Sequence, residues 1–313
     1  MSALKKALAA WGAQDIRMIK DRENVVHEVR VGGSPAALRL HRPGYQSAGA
    51  IRSELDWMAA LARAGMRVPA PIPTRSGDTV ADLGAGQIAT VVSWVDGAPI
   101  GEGGVPLAGS KAEQVALYHK VGTELAMLHN LTDAMTLPDG FTRHRWDIPG
   151  LLGDNPFWGR FWESPALSES ERALVLRARA VAHDMATAFA GGGADFGLIH
   201  ADALRENIFV HNGDLTLIDF DDAGFGFRIY DLAVMMTQNE DEPAADAIRD
   251  AAIAGYRAHR AFPKQAEDLL PMFIMMRRFA SMGWAVPRNP PGSPVAREYA
   301  DKAVRAARAF LGG

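Results

Sequence analysis

Apolar and polar positions alternate in short runs through the first third of the chain and recur at helical spacing through most of the remainder. ENVVHEVRVGG (Glu23 to Gly33) and AALRLHRP (Ala36 to Pro43) are β-rich runs separated by Gly-Gly-Ser-Pro, which predicts a hairpin. In the following AIRSELDWMAALARAG, Ile51, Leu55, Met58 and Leu61 or Ala62 share one helical face and Gly65 closes the run. Pro69, Pro71 and Pro73 force an extended connection. Two further strands are expected around Thr79 to Asp82 and Gln87 to Val95. The first fifteen residues read as a surface helix: their apolar part is brief, and no convincing small-residue cleavage site precedes Trp11 and Asp15.

Beyond Asp96 the pattern is mainly helical. KAEQVALYHKVGTELAMLHNL puts Val115, Tyr118, Val121, Leu125 and Leu128 on one face, and the runs Glu169 to Phe189, Ala244 to Phe262, Lys264 to Val286 and Pro294 to Leu311 also read as helices. The expected fold class is α+β: a small antiparallel β-sheet lobe with one helix over residues 1–95, then a larger mainly helical lobe over residues 96–313. The most apolar late segment, from Leu269, carries Arg277 and Arg278 in its middle, which predicts a packed helix and no membrane span.

Composition narrows the function. Hydrophobic residues make up 48% and charged residues 22% of the 313 positions, so an ordinary globular core is expected. The formal charge of -4 provides no electrostatic footprint for nucleic acid or an acidic membrane. Absence of cysteine removes disulfides, thiolate nucleophiles and thiolate metal ligands, and makes the cytoplasm the default compartment.

One segment breaks the pattern. LIHADALRENIFVHNGDLTLIDFDD (Leu198 to Asp222) places acidic residues between apolar runs, where an unpaired buried charge is costly. Ile208 to His211 and Leu215 to Phe220 are β-prone, and the intervening Asn212-Gly213-Asp214 predicts a hairpin with a loop of two or three residues. Folding back there sets Asn207 nearly opposite Asp219, with Asp202 on the connection leading in. One carboxylate and one amide make a hard oxygen site suited to Mg²⁺, which keeps room for phosphate oxygens. The remaining carboxylate can orient or deprotonate a hydroxyl. Taken singly, each is more readily a turn, cap or solvated strand-end residue. The spacing HxDxxxxN, followed by a hairpin and DFD, matches the phosphoryl-transfer layout HRDxxxxN and DFG.

On these residues, together with IRSELDW, VSWVDG, IDFDDAGFGFRIYDLA, GYRAH and LLPMFIMMRRF, the chain resembles the aminoglycoside phosphotransferase and choline kinase superfamily. It is similar to the homoserine kinase-like, hydroxylysine kinase-like and stress-response Ser/Thr kinase-like branch. The resemblance implies a two-lobed protein-kinase-like fold and transfer of the γ-phosphate of a nucleoside triphosphate, ATP or alternatively GTP, to a small hydroxylated acceptor such as an amino alcohol, hydroxy amino acid or aminoglycoside. It implies Asp202 as catalytic base, Asn207 and Asp219 as Mg²⁺ ligands, and a supporting role for His200. Arg39 stands where a lysine usually holds the phosphates, with Glu54 as its ion-pair partner. Ser93 and Val95 resemble the linker whose backbone recognises the base.

The sequence departs from that pattern in three places. Arg39 offers a planar fork where lysine offers a point donor, so the phosphate or Glu54 geometry must differ. Ala201 replaces the usual glycine, which is tolerable if its φ is negative. DRENVVHEV has no glycine, leaving Asn24 and neighbouring backbone N–H groups to cover the phosphates. Asp221 and Asp222 read as solvated loop carboxylates, Asp231 as a tie between a helix and the catalytic loop, and the aromatics Trp146, Phe157, Trp158, Phe161 and Trp162 as packing more than pocket. Two rival functions stay open: a Ser/Thr protein kinase of the stress-response type, and a nucleotide-binding regulatory module without chemistry.

Overall fold

The computed structural model describes residues 2–21 and 24–312; Arg22 and Glu23, at the start of the predicted phosphate-covering turn, lie outside them. The chain begins with α1 (Ala3–Trp11), β1 (Gln14–Asp21), β2 (Val25–Val31), β3 (Ser34–Leu40), α2 (Ala48–Arg63), β4 (Val80–Gly84), β5 (Gln87–Ser93) and β6 (Ala98–Pro99). It continues through α3 (Lys111–Asp133), β7 (His144–Trp146), α4 (Ile148–Leu152), α5 (Glu169–Gly191), β8 (Phe196–Ile199), β9 (Ile208–His211), β10 (Asp214–Leu217) and β11 (Gly224–Phe227). Helices α6 (Ile229–Met236), α7 (Ala245–Arg257), α8 (Lys264–Ala285) and α9 (Pro294–Leu311) complete it. These elements form two compact units, one of Met1–Ile100, Ala134–Arg143 and Asn207–Asp221, the other of Gly101–Asp133, His144–Glu206 and Asp222–Gly313.

The first unit is built on an antiparallel sheet in the order β1-β2-β3-β5-β4. Val31 pairs with Ser34, so the β2–β3 turn is Gly32-Gly33 with both φ angles positive, the backbone that a two-residue hairpin needs. Helix α2 starts at Ser47, whose hydroxyl accepts from Ala50 N–H, and lays Ile51 and Leu55 against Val80 and Ile88. The predicted surface helix is α1, and it is partly core: Ala7 and Trp11 are buried with Val29, Leu38, Leu83 and Val91. Strand β1 went unpredicted because it is an edge strand exposed along its whole length, so no inward face imposes alternation. The hairpin β9–β10 belongs to this unit because β9 also pairs with β6, the strand that follows the main sheet.

The second unit is mainly helical. Helices α3 and α7 come into backbone contact at Gly122 and Gly255, where an added Cβ would lie 1.9 Å from the Ala252 carbonyl oxygen and 2.0 Å from that of His119. A small sheet, β7-β11-β8, carries the loop that contains His200 and Asp202 on its β8 side. Trp146 and Phe161 are fully buried, so these two aromatics are packing, as read from the sequence. Among the described residues no helix is long and apolar enough to cross a membrane. An antiparallel-sheet unit and a mainly helical unit make the α+β class that the hydrophobic pattern predicts.

Candidate active site

In the sheet unit, β3 brings Arg39 to a cluster of carboxylates. Arg39 Nη2 donates to Asp219 Oδ1 at 3.0 Å, and Nη1 lies 3.4 Å from Glu54 Oε1 and 3.6 Å from Asp221 Oδ1. The expected Arg39–Glu54 pair is present, but Asp219 is the nearer partner. Glu54, buried on α2, is shared with a second guanidinium: Arg143 Nη1 lies 3.4 Å from Glu54 Oε2. Arg143 also donates to the Gln46 side chain at 2.9 Å, to the carbonyls of Ala50 and Phe220, each at 2.9 Å, and to the Asp221 carbonyl at 2.6 Å. It thereby ties α2 to the backbone of the IDFDD segment.

Three carboxyl groups thus share two guanidinium groups in a buried setting. Burial pushes the Glu54 carboxyl up to about 7 against the pull of Arg143 and Arg39. Burial likewise raises Asp221, opposed by Arg39 and reinforced by Asp219. For Arg39, burial works downward, but Asp219, Asp221 and Glu54 outweigh it and hold the guanidinium above its ordinary value.

The hairpin forms with a two-residue turn, His211 pairing with Asp214 around Asn212 and Gly213, both at positive φ. At its open end Ile218 N–H donates to the Asn207 carbonyl at 2.9 Å, which places Asp219 one residue beyond the position facing Asn207. Asp219 itself adopts a left-handed φ of 62°, a conformation that Asp tolerates better than most residues. The pair supplies one amide oxygen and one carboxylate from the same end of a hairpin. This donor set fits a divalent cation that takes few protein ligands. Among the described residues no cluster of three or more His, Cys, Asp or Glu side chains offers an alternative metal cage.

In the helical unit, the loop after β8 is clamped from two sides. Asp231, fully buried on α6, accepts from His200 N–H at 2.9 Å and Ala201 N–H at 2.7 Å, and its Oδ2 lies 2.9 Å from His129 Nε2. His129 Nδ1 lies 2.7 Å from the Tyr256 hydroxyl. Burial lowers the His129 pKa despite its carboxylate partner; burial pushes Asp231 up, but the hydrogen bonds and charges of His129 and His200 together outweigh it and hold that carboxyl below its ordinary value. From the other side Arg277, buried on α8, donates to the Ala201 carbonyl at 3.0 Å and to Asp202 Oδ1 at 2.6 Å. Asp202 keeps 17% of its side chain exposed.

Several sequence expectations change here. Ala201 has φ of +60°, so the condition under which its methyl is tolerable is not met; the Asp231 and Arg277 bonds hold it in the left-handed region. Asp221 is buried, not solvated, because Asn24 Nδ2 and Gln46 Nε2 donate to its carboxylate at 3.1 and 2.9 Å. The Asn24 side chain is tied at both ends, its oxygen accepting from Arg42 N–H at 3.0 Å. Ser93 ends β5 with its hydroxyl accepting from Ala70 N–H at 2.9 Å, and Val95 follows it in a half-buried connection. Arg143, Gln46 and Arg277 have no place in the motif reading. Arg277 alone left a signal, a charge inside an apolar helical stretch; Arg143 sits in an aromatic-rich run with nothing to distinguish it from its arginine neighbours.

Comparison with known proteins gives this geometry its family. Residues 16–288 match the phosphotransferase enzyme family, APH, and the chain belongs to it. The structure of a microcompartment-associated aminopropanol kinase superposes with a TM-score of 0.84 at 30% identity, covering 99% of this chain and 96% of that one. Amicoumacin kinase of Bacillus subtilis is 23% identical over 74% of this chain and 66% of its own length. A homoserine kinase of Chelativorans sp. is 28% identical over 70% of this chain and 63% of its own. The protein-kinase-like fold and the class of phosphotransferase acting on an alcohol group, both implied by the motif resemblance, are those of the family.

Proposed function

We propose that this chain transfers the γ-phosphate of ATP to the hydroxyl of a small amino alcohol or hydroxy amino acid, with Asp202 as the base. The observation that carries the reading is the state of Asp202: its loop is immobilised by buried charges, yet its carboxylate keeps partial access to solvent. A base must be held in place and still reach its proton. In the reaction the acceptor hydroxyl gives its proton to Asp202 as its oxygen bonds to the γ-phosphorus. The bond from that phosphorus to the bridging oxygen breaks, and ADP leaves.

Asn207 and Asp219 would hold Mg²⁺, whose contribution is to neutralise charge on the phosphate oxygens. Arg39 would meet the phosphates in place of lysine with Glu54 as its support, Asn24 would lie over them, and Ser93 and Val95 would border the base. Residues 1–95 would form the nucleotide-binding lobe and residues 96–313 the catalytic and acceptor-binding lobe. Likeness to the aminopropanol kinase, at 30% identity over nearly the whole of both chains, favours an amino alcohol over an aminoglycoside.

The test is ADP release from Mg-ATP against a panel of amino alcohols, hydroxy amino acids, aminoglycosides and sugars, beside Asp202→Ala. Acceptor-dependent release should fall by roughly 100- to 10,000-fold in the variant with little change in nucleotide affinity. Equal turnover by the two proteins would refute the role given to Asp202, and silence across the panel from folded protein would refute the acceptor class.

A further inference from the structure

We propose that Arg277 is a positioning residue for the phosphoryl-transfer step, fixing the orientation of the Asp202 carboxylate toward the acceptor hydroxyl. This rests on the reading of Asp202 as the base. Three observations carry it. Arg277 uses two nitrogens for two consecutive residues of one loop: Nη1 bonds the Ala201 carbonyl at 3.0 Å and Nη2 bonds Asp202 Oδ1 at 2.6 Å. Its guanidinium also lies over the Trp158 ring, 4.7 Å from the centroid, so the fork is held in plane by an aromatic wall. Finally, the side chain is buried at mid-helix on α8, where an arginine is retained only with partners that compensate the lost hydration.

The geometry has a direct consequence. One carboxylate oxygen of Asp202 is occupied by a charge-assisted bond, which fixes the rotation of the carboxylate plane. The same guanidinium holds the peptide of Ala201, a residue in the left-handed region, while Asp231 holds that residue's N–H from the other side. Opposite buried charges therefore grip the two ends of Ala201. Lysine, a point donor on a flexible stem, cannot bond the carbonyl and the carboxylate and stack on the indole at once. The assignment is thus specific to arginine.

The experiment compares Arg277→Ala and Arg277→Lys with the wild-type chain, measuring kcat at saturating acceptor, nucleotide affinity by titration calorimetry, and rescue by added millimolar guanidinium. In Arg277→Ala, kcat should drop about 100-fold, the scale of a misplaced catalytic group. Nucleotide affinity should hold within about twofold, and guanidinium should restore part of the lost rate. Arg277→Lys keeps the charge and should still lose about tenfold in kcat, without guanidinium rescue. Wild-type kcat in either variant overturns the proposal, as does a loss in Arg277→Ala that guanidinium leaves untouched. If Arg277→Ala does not fold, Arg277→Lys decides by the same kcat measurement. The underlying reading fails separately, through equal turnover by wild type and Asp202→Ala.

Discussion

Two charged regions, one in each unit, solve the burial of ionised groups in opposite ways. Around Asp202 the hydrogen-bonded pairs are distinct, Asp231 with His129 and two backbone N–H groups, Arg277 with Asp202 and the Ala201 carbonyl, while the charge of Asp222 also acts on Arg277. Around Arg39 the partners are shared: Glu54, Asp219 and Asp221 stand against Arg39 and Arg143. The first arrangement fixes geometry, because removing either member leaves a buried charge uncompensated. The second sets three carboxyl groups against two guanidinium groups, an acidic excess that favours the arrival of a cation. Under the proposed function, phosphoryl transfer would draw on both: a rigidly held base at Asp202 and an electrostatically unfinished nucleotide site at Arg39.

The largest expected effect breaks the comparison at its stiffest point. Asp231→Asn puts an NH₂ group where a carboxylate now takes bonds from His200 N–H, Ala201 N–H and His129. It should cost about 3–5 kcal/mol of stability in denaturant titration, as breaking a buried charged network does. Asp221→Asn in the shared cluster should cost less, about 1–2 kcal/mol: its NH₂ group would oppose the Asn24 or Gln46 donor, but repulsion from Asp219 is relieved and Gln46 still bonds the residue 221 carbonyl. Equal costs for the two substitutions would erase the distinction between dedicated and shared partners.

Next in size is pH dependence, for which the two regions have opposite signs. Glu54 is raised from its ordinary 4.5 to about 7, so between those values the native state binds more protons than the unfolded chain. Stability from this group is therefore complete below about pH 4.5 and falls by up to about 3 kcal/mol as pH rises to 7. His129 is lowered below 6.5, so the unfolded chain protonates first and stability is lost as pH falls through that window. Unfolding free energies across pH should show Glu54→Gln flattening the decline toward neutral pH and His129→Gln flattening the decline toward acid. The reverse pattern would mean that the charges are distributed otherwise than the partners suggest.

These contrasts also explain which parts were legible in the sequence. Helical periodicity located α2, α5, α8 and α9 to within a few residues, because each buries one continuous stripe. The Asn-Gly pair located the β9–β10 hairpin for the same local reason. The motif residues Asp202, Asn207 and Asp219 stood out through fixed spacing. Their supports did not, because Arg143 and Arg277 reach the motif from 77 and 75 residues away and their role depends on tertiary contact alone. Strand β1 was invisible because an edge exposed on both faces has no pattern to show.

The smallest effect tests whether the strained peptide beside Asp202 is a cost or a balance. At φ of +60° an alanine carries roughly 1–2 kcal/mol of left-handed strain that glycine would not. Its methyl is fully buried, however, and loses about 0.8 kcal/mol of favourable transfer when deleted. Glycine also gains freedom in the unfolded chain, worth about 0.4–1 kcal/mol against folding. These terms nearly cancel, so Ala201→Gly should change stability by less than about 1 kcal/mol, measured by thermal unfolding. Acceptor-dependent turnover should be retained, because the two bonds that hold residue 201 come from its backbone and survive the substitution. A loss of turnover at unchanged stability would mean that the methyl itself packs against the reacting groups, and that alanine at this position is part of the site's shape.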